Sequence, residues 1–336
     1  MRLKKVAVIC GGRSSEHEIS CISASGIISA IDGSKFLPTL IGITKSGRWV
    51  SLPVDSKFEI KDGQLPVVPE SAPAIALEEI DADVIFSILH GPFGEDGTIQ
   101  GLFEILDKPY VGSGVLASAV AMDKHFAKEV FISHGIKTAP GVAIKEGEAI
   151  HDHGFGYPLF VKPARGGSSR GTHKVKSAAD LQAAVIDAFK YDRKVMIEKA
   201  ITGREIECAV LERAGRIECS VPGEIKIDPR FEFYDFEAKY LDGATTVEAP
   251  AKIKRIADIQ NAAIEAFKSL GCSGLARVDF FYTADDEIII NELNTLPGFT
   301  PTSVFPRLWK ESGLGYTEVI TALLETAMTR TNSALN

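Results

Sequence analysis

Two short runs near the carboxyl end limit what this chain can fold into more than any other feature. GLARVDFF (274–281) and EIIINELNTLPG (287–298) are rich in β-branched and aromatic residues and flank the turn TADD (283–286). Side chains two apart on a strand share a face, so Arg277 and Asp279 point one way while Val278 and Phe280 point the other. Glu292 and Asn294 share a face in the same manner, opposite Leu293. If the runs pair through the turn, two carboxylates, an amide and a guanidinium converge above a buried apolar layer. Such hard oxygen ligands suit magnesium, which takes one or two carboxylates and completes its shell with water and substrate phosphates. The pattern points to phosphoryl chemistry; a surface hairpin whose charges merely pair has the same pattern.

Phosphates need cations and close backbone approach, and the loop KPARGGSSRG (162–171) offers both. Its glycines allow backbone N–H groups to face an anion, with Lys162, Arg165, Arg170 and the serines as further donors. It is not a Walker A loop: GxxxxGK[ST] is absent and the following segment reads as a strand. A tight turn is the plain alternative. Lys124, near the start of a helix in AMDKHFAK (121–128), is a second candidate point charge. Near the amino end, GGRSSEHE (11–18) lies between a strand (6–9) and a helix (about 18–31), where open parallel sheets bind ligands. Ser14 or Ser15 with Glu18 makes an equally good capping box. His90 opens a similar turn, HGPFGEDG (90–97), after a strand at 84–89; the other histidines read as structural or solvated.

Strands at 6–9, 36–43 and 84–89 alternate with helices at 18–31 and 97–106, which implies a parallel sheet. The proline-rich stretch 53–73 reads as irregular, and the Gly-Ser-Gly at 112–114 as a boundary. Beyond it come a helix from 117 to about 134, a strand at 158–162, another after 171 and a helix at 178–189. A third stretch with antiparallel character begins at 195–198 and continues through 206–211 and 216–220, edged by helices at 258–270 and 317–328. At roughly 150 residues per domain, 336 residues allow two or three domains. The expected fold is α/β and α+β with three units: 1–114, 115–200 and 201–336. Asp+Glu 45 against Lys+Arg 37, a net charge of -8, argues against nucleic acid as the main partner. The longest apolar candidate, 115–122, is far too short to span a membrane. Five scattered cysteines with no CxxC spacing suggest neither a disulfide framework nor a zinc site, so the cytoplasm is the expected compartment.

Eight segments together resemble the D-alanine:D-alanine ligases of the ATP-grasp superfamily. In chain order they are GGRSSEHEIS, HGPFGEDGTIQG, AMDKHFAK, FVKPARGGSSRG, IEKAITGREIE, FYDFEAKY, GLARVDFF and INELNTLPGFTPTS. The resemblance implies a three-domain ATP-grasp architecture with an amino-terminal parallel-sheet domain. It implies that ATP phosphorylates one D-alanine carboxylate and that the amine of a second D-alanine attacks the acyl phosphate, supplying peptidoglycan precursors. By motif position, Asp279, Glu292 and Asn294 would hold two magnesium or manganese ions. Lys124 and Lys162 would contact nucleotide phosphates beside Ser168, Ser169 and Asn291; Glu198, Lys199 and Ile201 would meet adenine, and Glu205 the ribose. Arg277 and the Gly298 backbone would face the tetrahedral oxyanion. Glu16 would bind the first ammonium with His90 near its carboxylate, and Ser303 and Val304 would receive the second D-alanine. Lys239 and Tyr240 would sit on a mobile loop, about 228–248, with Tyr240 directed toward Ser168 and Glu16. Relatives that make the D-alanyl-D-lactate depsipeptide carry phenylalanine at that tyrosine, so Tyr240 favours the dipeptide. A homodimer is the implied assembly, and an ATP-grasp carboxylate-amine ligase with other substrates is the alternative.

Overall fold

The computed structural model describes residues 2–60, 63–167, 169–227 and 245–330. Its first strand, β1 (Lys4–Gly11), is covered on both faces, which explains why its sequence shows an apolar run rather than alternation. Val6, Val8 and Cys10 enter one core with Cys21, Ala24 and Ile27 of helix α1 (His17–Ala30), while Ala7 and Ile9 enter another with Phe103 and Tyr110. β1 lies between β2 (Phe36–Ile43) and β4 (Val84–Ser87), parallel to both. β3 (Trp49–Leu52) runs antiparallel on the outer edge of β2, a strand the sequence pattern did not reveal. The turn from β1 to α1 requires glycine: Gly11 has φ +90°, and a Cβ there would lie 2.3 Å from the Ile43 carbonyl oxygen. Helix α2 (Thr98–Ile105) follows β4.

The helix expected from 117 to 134 is two helices, α3 (Val115–Met122) and α4 (Lys124–Ser133). The break is at Asp123, whose extended backbone and carboxylate cap α4 by accepting from the Phe126 N–H at 3.3 Å. A smaller antiparallel sheet comprises β5 (Gly141–Lys145), β6 (Leu159–Pro163), β7 (His173–Val175) and β8 (Lys194–Lys199), in the order β5-β8-β6-β7. Helix α5 (Ala178–Ala188) covers it, with Leu181 and Val185 packed on Leu159, Val161, Val195 and Ile197. β8 was expected to open the third stretch. It lies instead between β5 and β6, because Val195 and Ile197 face α5 and both edges of the strand find partners.

Among the described residues, the largest sheet has six strands: β9 (Arg204–Arg213), β10 (Arg216–Cys219), β11 (Gly223–Ile227), β12 (Thr245–Glu248), β13 (Leu275–Tyr282) and β14 (Ile288–Asn294). Its path is β12-β11-β9-β13-β14, with β10 also on β9. β12 corrects the expected span of the loop 228–248, since 245–248 pair with β11. Strand alternation divides β9 and β13 cleanly. Ile206, Cys208, Val210, Ala276, Val278 and Phe280 join Phe131 of α4 and Phe267 of α6 (Ile256–Ser269) in one core. On the opposite face, Ala209, Leu211 and Leu275 pack beneath α7 (Val304–Glu311) and α8 (Tyr316–Thr329). That second core is continuous with the first sheet: Phe299 stacks 5.6 Å from Phe86, 5.8 Å from Phe305 and 5.5 Å from Tyr316. Among the described residues, no helix is long and apolar enough to cross a membrane.

Candidate active site

The face of β9 and β13 that is apolar at one end turns polar at the other, and there it becomes the floor of a cavity of about 1020 Å³. Glu205, Glu207, Arg277 and Asp279 line it from these two strands. β14 adds a local irregularity that the alternation rule missed. Asp279 pairs with Glu292 but Phe280 pairs with Ile290, so Asn291 is an extra residue opposite that step. Asn291, Glu292 and Asn294 therefore all line the cavity, while Ile290 and Leu293 remain in the core.

Register brings Glu207, Asp279 and Glu292 into one row across three adjacent strands. Such a row of carboxylates is repulsive unless cations sit within it. Arg277 supplies one: its Nε donates to Asp279 Oδ1 at 2.8 Å, an Nη donates to Oδ2 at 2.7 Å, and Nε lies 3.0 Å from Glu207 Oε2. A guanidinium held by a bidentate carboxylate and a second acid is fixed in place before any ligand arrives. Lys124 supplies another, 3.2 Å from Glu292. The Asn294 amide donates to Asp279 Oδ2 at 3.0 Å. Among the described residues, no three or more His, Cys, Asp or Glu side chains gather as a metal site. Asp279 and Glu292 stand opposite each other in register, and Asn294 meets Asp279 through its amide nitrogen.

One wall comes from the smaller sheet. The Lys162 Nζ is 2.8 Å from Glu198 Oε2 and donates to Asn291 Oδ1 at 3.3 Å, tying β6, β8 and β14 together. Lys124 starts α4 because Asp123 ends α3; its N–H donates to the Ala164 carbonyl at 3.0 Å and its Nζ to the Gly166 carbonyl at 2.7 Å. The loop after β6 is thus anchored by a lysine that also faces the acidic row. Ser169, with φ +56°, Lys199 and Ile201 line the same wall, next to Glu205 of the floor. Arg165 does not: its N–H, Nε and one Nη all bind Asp192, so it braces the loop from outside instead of adding charge to the cavity.

The other wall comes from the turns of the amino-terminal sheet. The capping box offered by Ser14 and Glu18 is not formed; Ser14 donates to the His90 carbonyl at 2.7 Å and Glu18 pairs with Lys45. The two turns after β1 and β4 are thereby joined, which puts Glu16 and His90 at one end of the cavity. His90 is buried, which lowers its pKa against the opposing pull of the Glu16 carboxylate, and its Nδ1 lies 3.1 Å from the Leu296 carbonyl. That carbonyl can only accept, so Nδ1 carries the proton and the ring is neutral at neutral pH. Glu95 stands beside them and was not singled out by the sequence, although it lies within HGPFGEDG. Burial, reinforced by the Glu16 charge, pushes its carboxyl up to about 8, while the Gly91 N–H donates to it at 2.5 Å. Gly298, Ser303 and Val304 close this end, where α7 begins; a Cβ on Gly298 would come within 3.3 Å of Ser303 Oγ.

Arg165 apart, the residues that the family resemblance assigns and that are described border this one cavity. Ser168, Lys239 and Tyr240 lie outside the described residues. Models of the D-ala D-ala ligase N-terminus and C-terminus match residues 5–113 and 130–325. The chain belongs to the D-alanine:D-alanine ligase family. A D-alanine-D-alanine ligase from Arthrobacter sp. (strain FB24) is 47% identical over 360 residues, covering 97% of this chain and 94% of that protein. Among solved structures of the family's fold, the VanG D-Ala:D-Ser ligase from Enterococcus faecalis is 36% identical with a TM-score of 0.82, covering 97% of this chain and 100% of that one. The D-alanine-D-alanine ligase from Bacillus anthracis complexed with ATP is 28% identical with a TM-score of 0.77, covering 97% of each chain. The mixed α/β architecture with a largely parallel amino-terminal sheet is that of these ATP-grasp ligases.

Proposed function

We propose that this chain joins two D-alanine molecules, converting ATP to ADP and phosphate, and so supplies the dipeptide for peptidoglycan precursors in the cytoplasm. Membership of the family supports the reaction class. The observation that carries the residue assignments is that a preset guanidinium, two lysines and two paired carboxylates meet in one cavity between Glu16 and the start of α7.

A carboxylate is a poor electrophile, and transfer of a phosphoryl group turns one of its oxygens into a leaving group. In this reading Glu16 holds the ammonium of the first D-alanine and neutral His90 lies near its carboxylate. Protonated Glu95 adds no second negative charge beside that amino acid. Lys124 and Lys162 neutralise phosphate oxygens, and Ser168, Ser169, Asn291 and Lys239 complete the nucleotide contacts. Glu198, Lys199 and Ile201 meet adenine and Glu205 meets the ribose. The second D-alanine places its carboxylate at Ser303 and Val304, where the dipole of a helix start favours an anion. As its amine attacks, negative charge develops on the acyl oxygen beside Arg277 and the Gly298 backbone. Because Arg277 is already held by Asp279 and Glu207, little reorganisation is needed at that moment. Tyr240, toward Glu16 and Ser168, closes the site over the reactants.

The donor chemistry of Asp279, Glu292 and Asn294 fits magnesium or manganese, and two such ions would screen the triphosphate and polarise the transferred phosphoryl group. The assembly proposed is a homodimer. A second reading, ligation of D-alanine to a different amine, is favoured by the 36% identity to a D-Ala:D-Ser ligase. Phosphate release measured with D-alanine, L-alanine, D-serine and D-lactate separates the two. D-alanine alone is expected to sustain turnover; turnover that needs D-serine would move the assignment to the second reading, and none with any D-amino acid would end both.

A further inference from the structure

Behind the proposed nucleotide wall lies a charged side chain that does not line the cavity and that the reaction as described does not use. Lys128 is 5% exposed and sits one helical turn after Lys124 on α4, its stem packed among that helix's inward residues. Its ammonium pairs with Glu198 Oε1, while Glu198 Oε2 takes the Lys162 Nζ at 2.8 Å. Lys162 and Glu198 line the cavity; Lys128 does not. We propose that Lys128 is a positioning residue that keeps the charge of Lys162 available to the nucleotide phosphates by taking up one oxygen of the Glu198 carboxylate. The inference rests on the reading of Lys162 as a phosphate contact.

The physical reason is charge count in a dry place. Glu198 is 3% exposed and Lys162 9% exposed, so the two alone would form a tight neutral pair, and a neutral pair has little long-range attraction for a triphosphate. With Lys128 added, two ammonium groups share one carboxylate and the triad carries a net positive charge. Only the Lys162 end opens to the cavity, so the surplus is expressed there. Geometry adds to this: a carboxylate anchored through one oxygen to the helix presents the other at a fixed angle, which aims Lys162 toward Asn291, whose amide oxygen accepts from it at 3.3 Å. The protonation states agree with this arrangement. Burial would raise the Glu198 carboxyl, yet Lys128 and Lys162 hold it at about 2. Burial lowers Lys128 to about 8, which leaves it charged at neutral pH.

A packing role and an electrostatic role predict different ligand dependences. The test is titration calorimetry of the full chain, with magnesium present, comparing affinity for ATP with affinity for adenosine. In Lys128→Met the ratio of the two affinities is expected to fall on the order of tenfold, because only the phosphates sense the lost charge. Lys128→Arg should keep the ratio, and Lys128→Met combined with Glu198→Gln should restore it, since Lys162 is then left without its counter-charge. An unchanged ratio in Lys128→Met, or a parallel loss for ATP and adenosine, overturns the proposal. Lys162→Met tells apart the two levels of the argument. If its ratio falls and that of Lys128→Met does not, only the role of Lys128 is lost; if its own ratio holds, the phosphate assignment itself is lost. Should Lys128→Met not fold, the double variant carries the comparison, and a ratio as low as that of Lys162→Met would overturn the proposal.

Discussion

The floor of the cavity and its wall from the smaller sheet are both charged, but they are built on different terms. The floor is a row across β9, β13 and β14, and Arg277, Asp279 and Glu207 find partners on the same or an adjacent strand, while Glu292 takes Lys124 from α4. The wall is assembled from separate elements, with β6, β8, α4 and the loop after β6 meeting through Lys162, Glu198, Lys128 and Lys124. Sheet register fixes the floor whether or not the wall closes; the wall depends on how the smaller sheet docks. In the proposed reading, chemistry that tolerates little displacement falls to the floor, and binding that must admit and release a nucleotide falls to the wall.

Perturbing the floor should therefore affect turnover and perturbing the wall should affect nucleotide affinity. The largest effect is expected from Asp279→Asn, which removes a metal-type oxygen ligand and loosens Arg277 together. Turnover should fall on the order of 100-fold or more with the far-ultraviolet circular dichroism unchanged. Normal kcat with an unaltered magnesium requirement would remove Asp279 from the metal set. Lys162→Met comes next: the KM for ATP should rise about tenfold or more while kcat changes less. A loss confined to kcat would erase the contrast between the two surfaces.

The smallest effect concerns the crevice where the turns of the amino-terminal sheet meet the floor. Glu95 keeps its proton to about 8 when folded and loses it near the ordinary 4.5 when unfolded. Between those values the folded state binds more protons, so this group makes stability decline as pH rises, and the decline ends above about 8. Glu95→Gln should flatten that part of the profile in urea unfolding measured from pH 5 to 9. An identical slope in the variant would mean that another group is responsible.

Much of this site was legible because strands obey a period of two. Arg277, Asp279, Glu292 and Asn294 were placed on one surface from spacing alone, and the same rule put Val278, Phe280 and Leu293 in the core. The failures are equally physical. Alternation cannot announce an extra residue in a ladder, so the place of Asn291 followed only from the register shift. A continuous helical pattern hid the break at Asp123, which depends on one capping carboxylate. Arg165 looked like a phosphate donor until Asp192, 27 residues along the chain, was brought beside it. Lys128 carried a weak signal, four residues after Lys124 on one helix face, yet nothing local pairs it with Glu198, 70 residues away.

By itself the sequence determined the kinds of element, the family and the inventory of charged groups, because periodicity, turn chemistry and motif order are local properties. Tertiary structure alone decided which charges neutralise one another. The electrostatic state of a buried lysine or carboxylate depends on partners a few ångströms away in space that lie tens to hundreds of residues away in the chain. His90 against Leu296, Glu95 against Glu16 and the Lys128–Glu198–Lys162 triad are all of that kind.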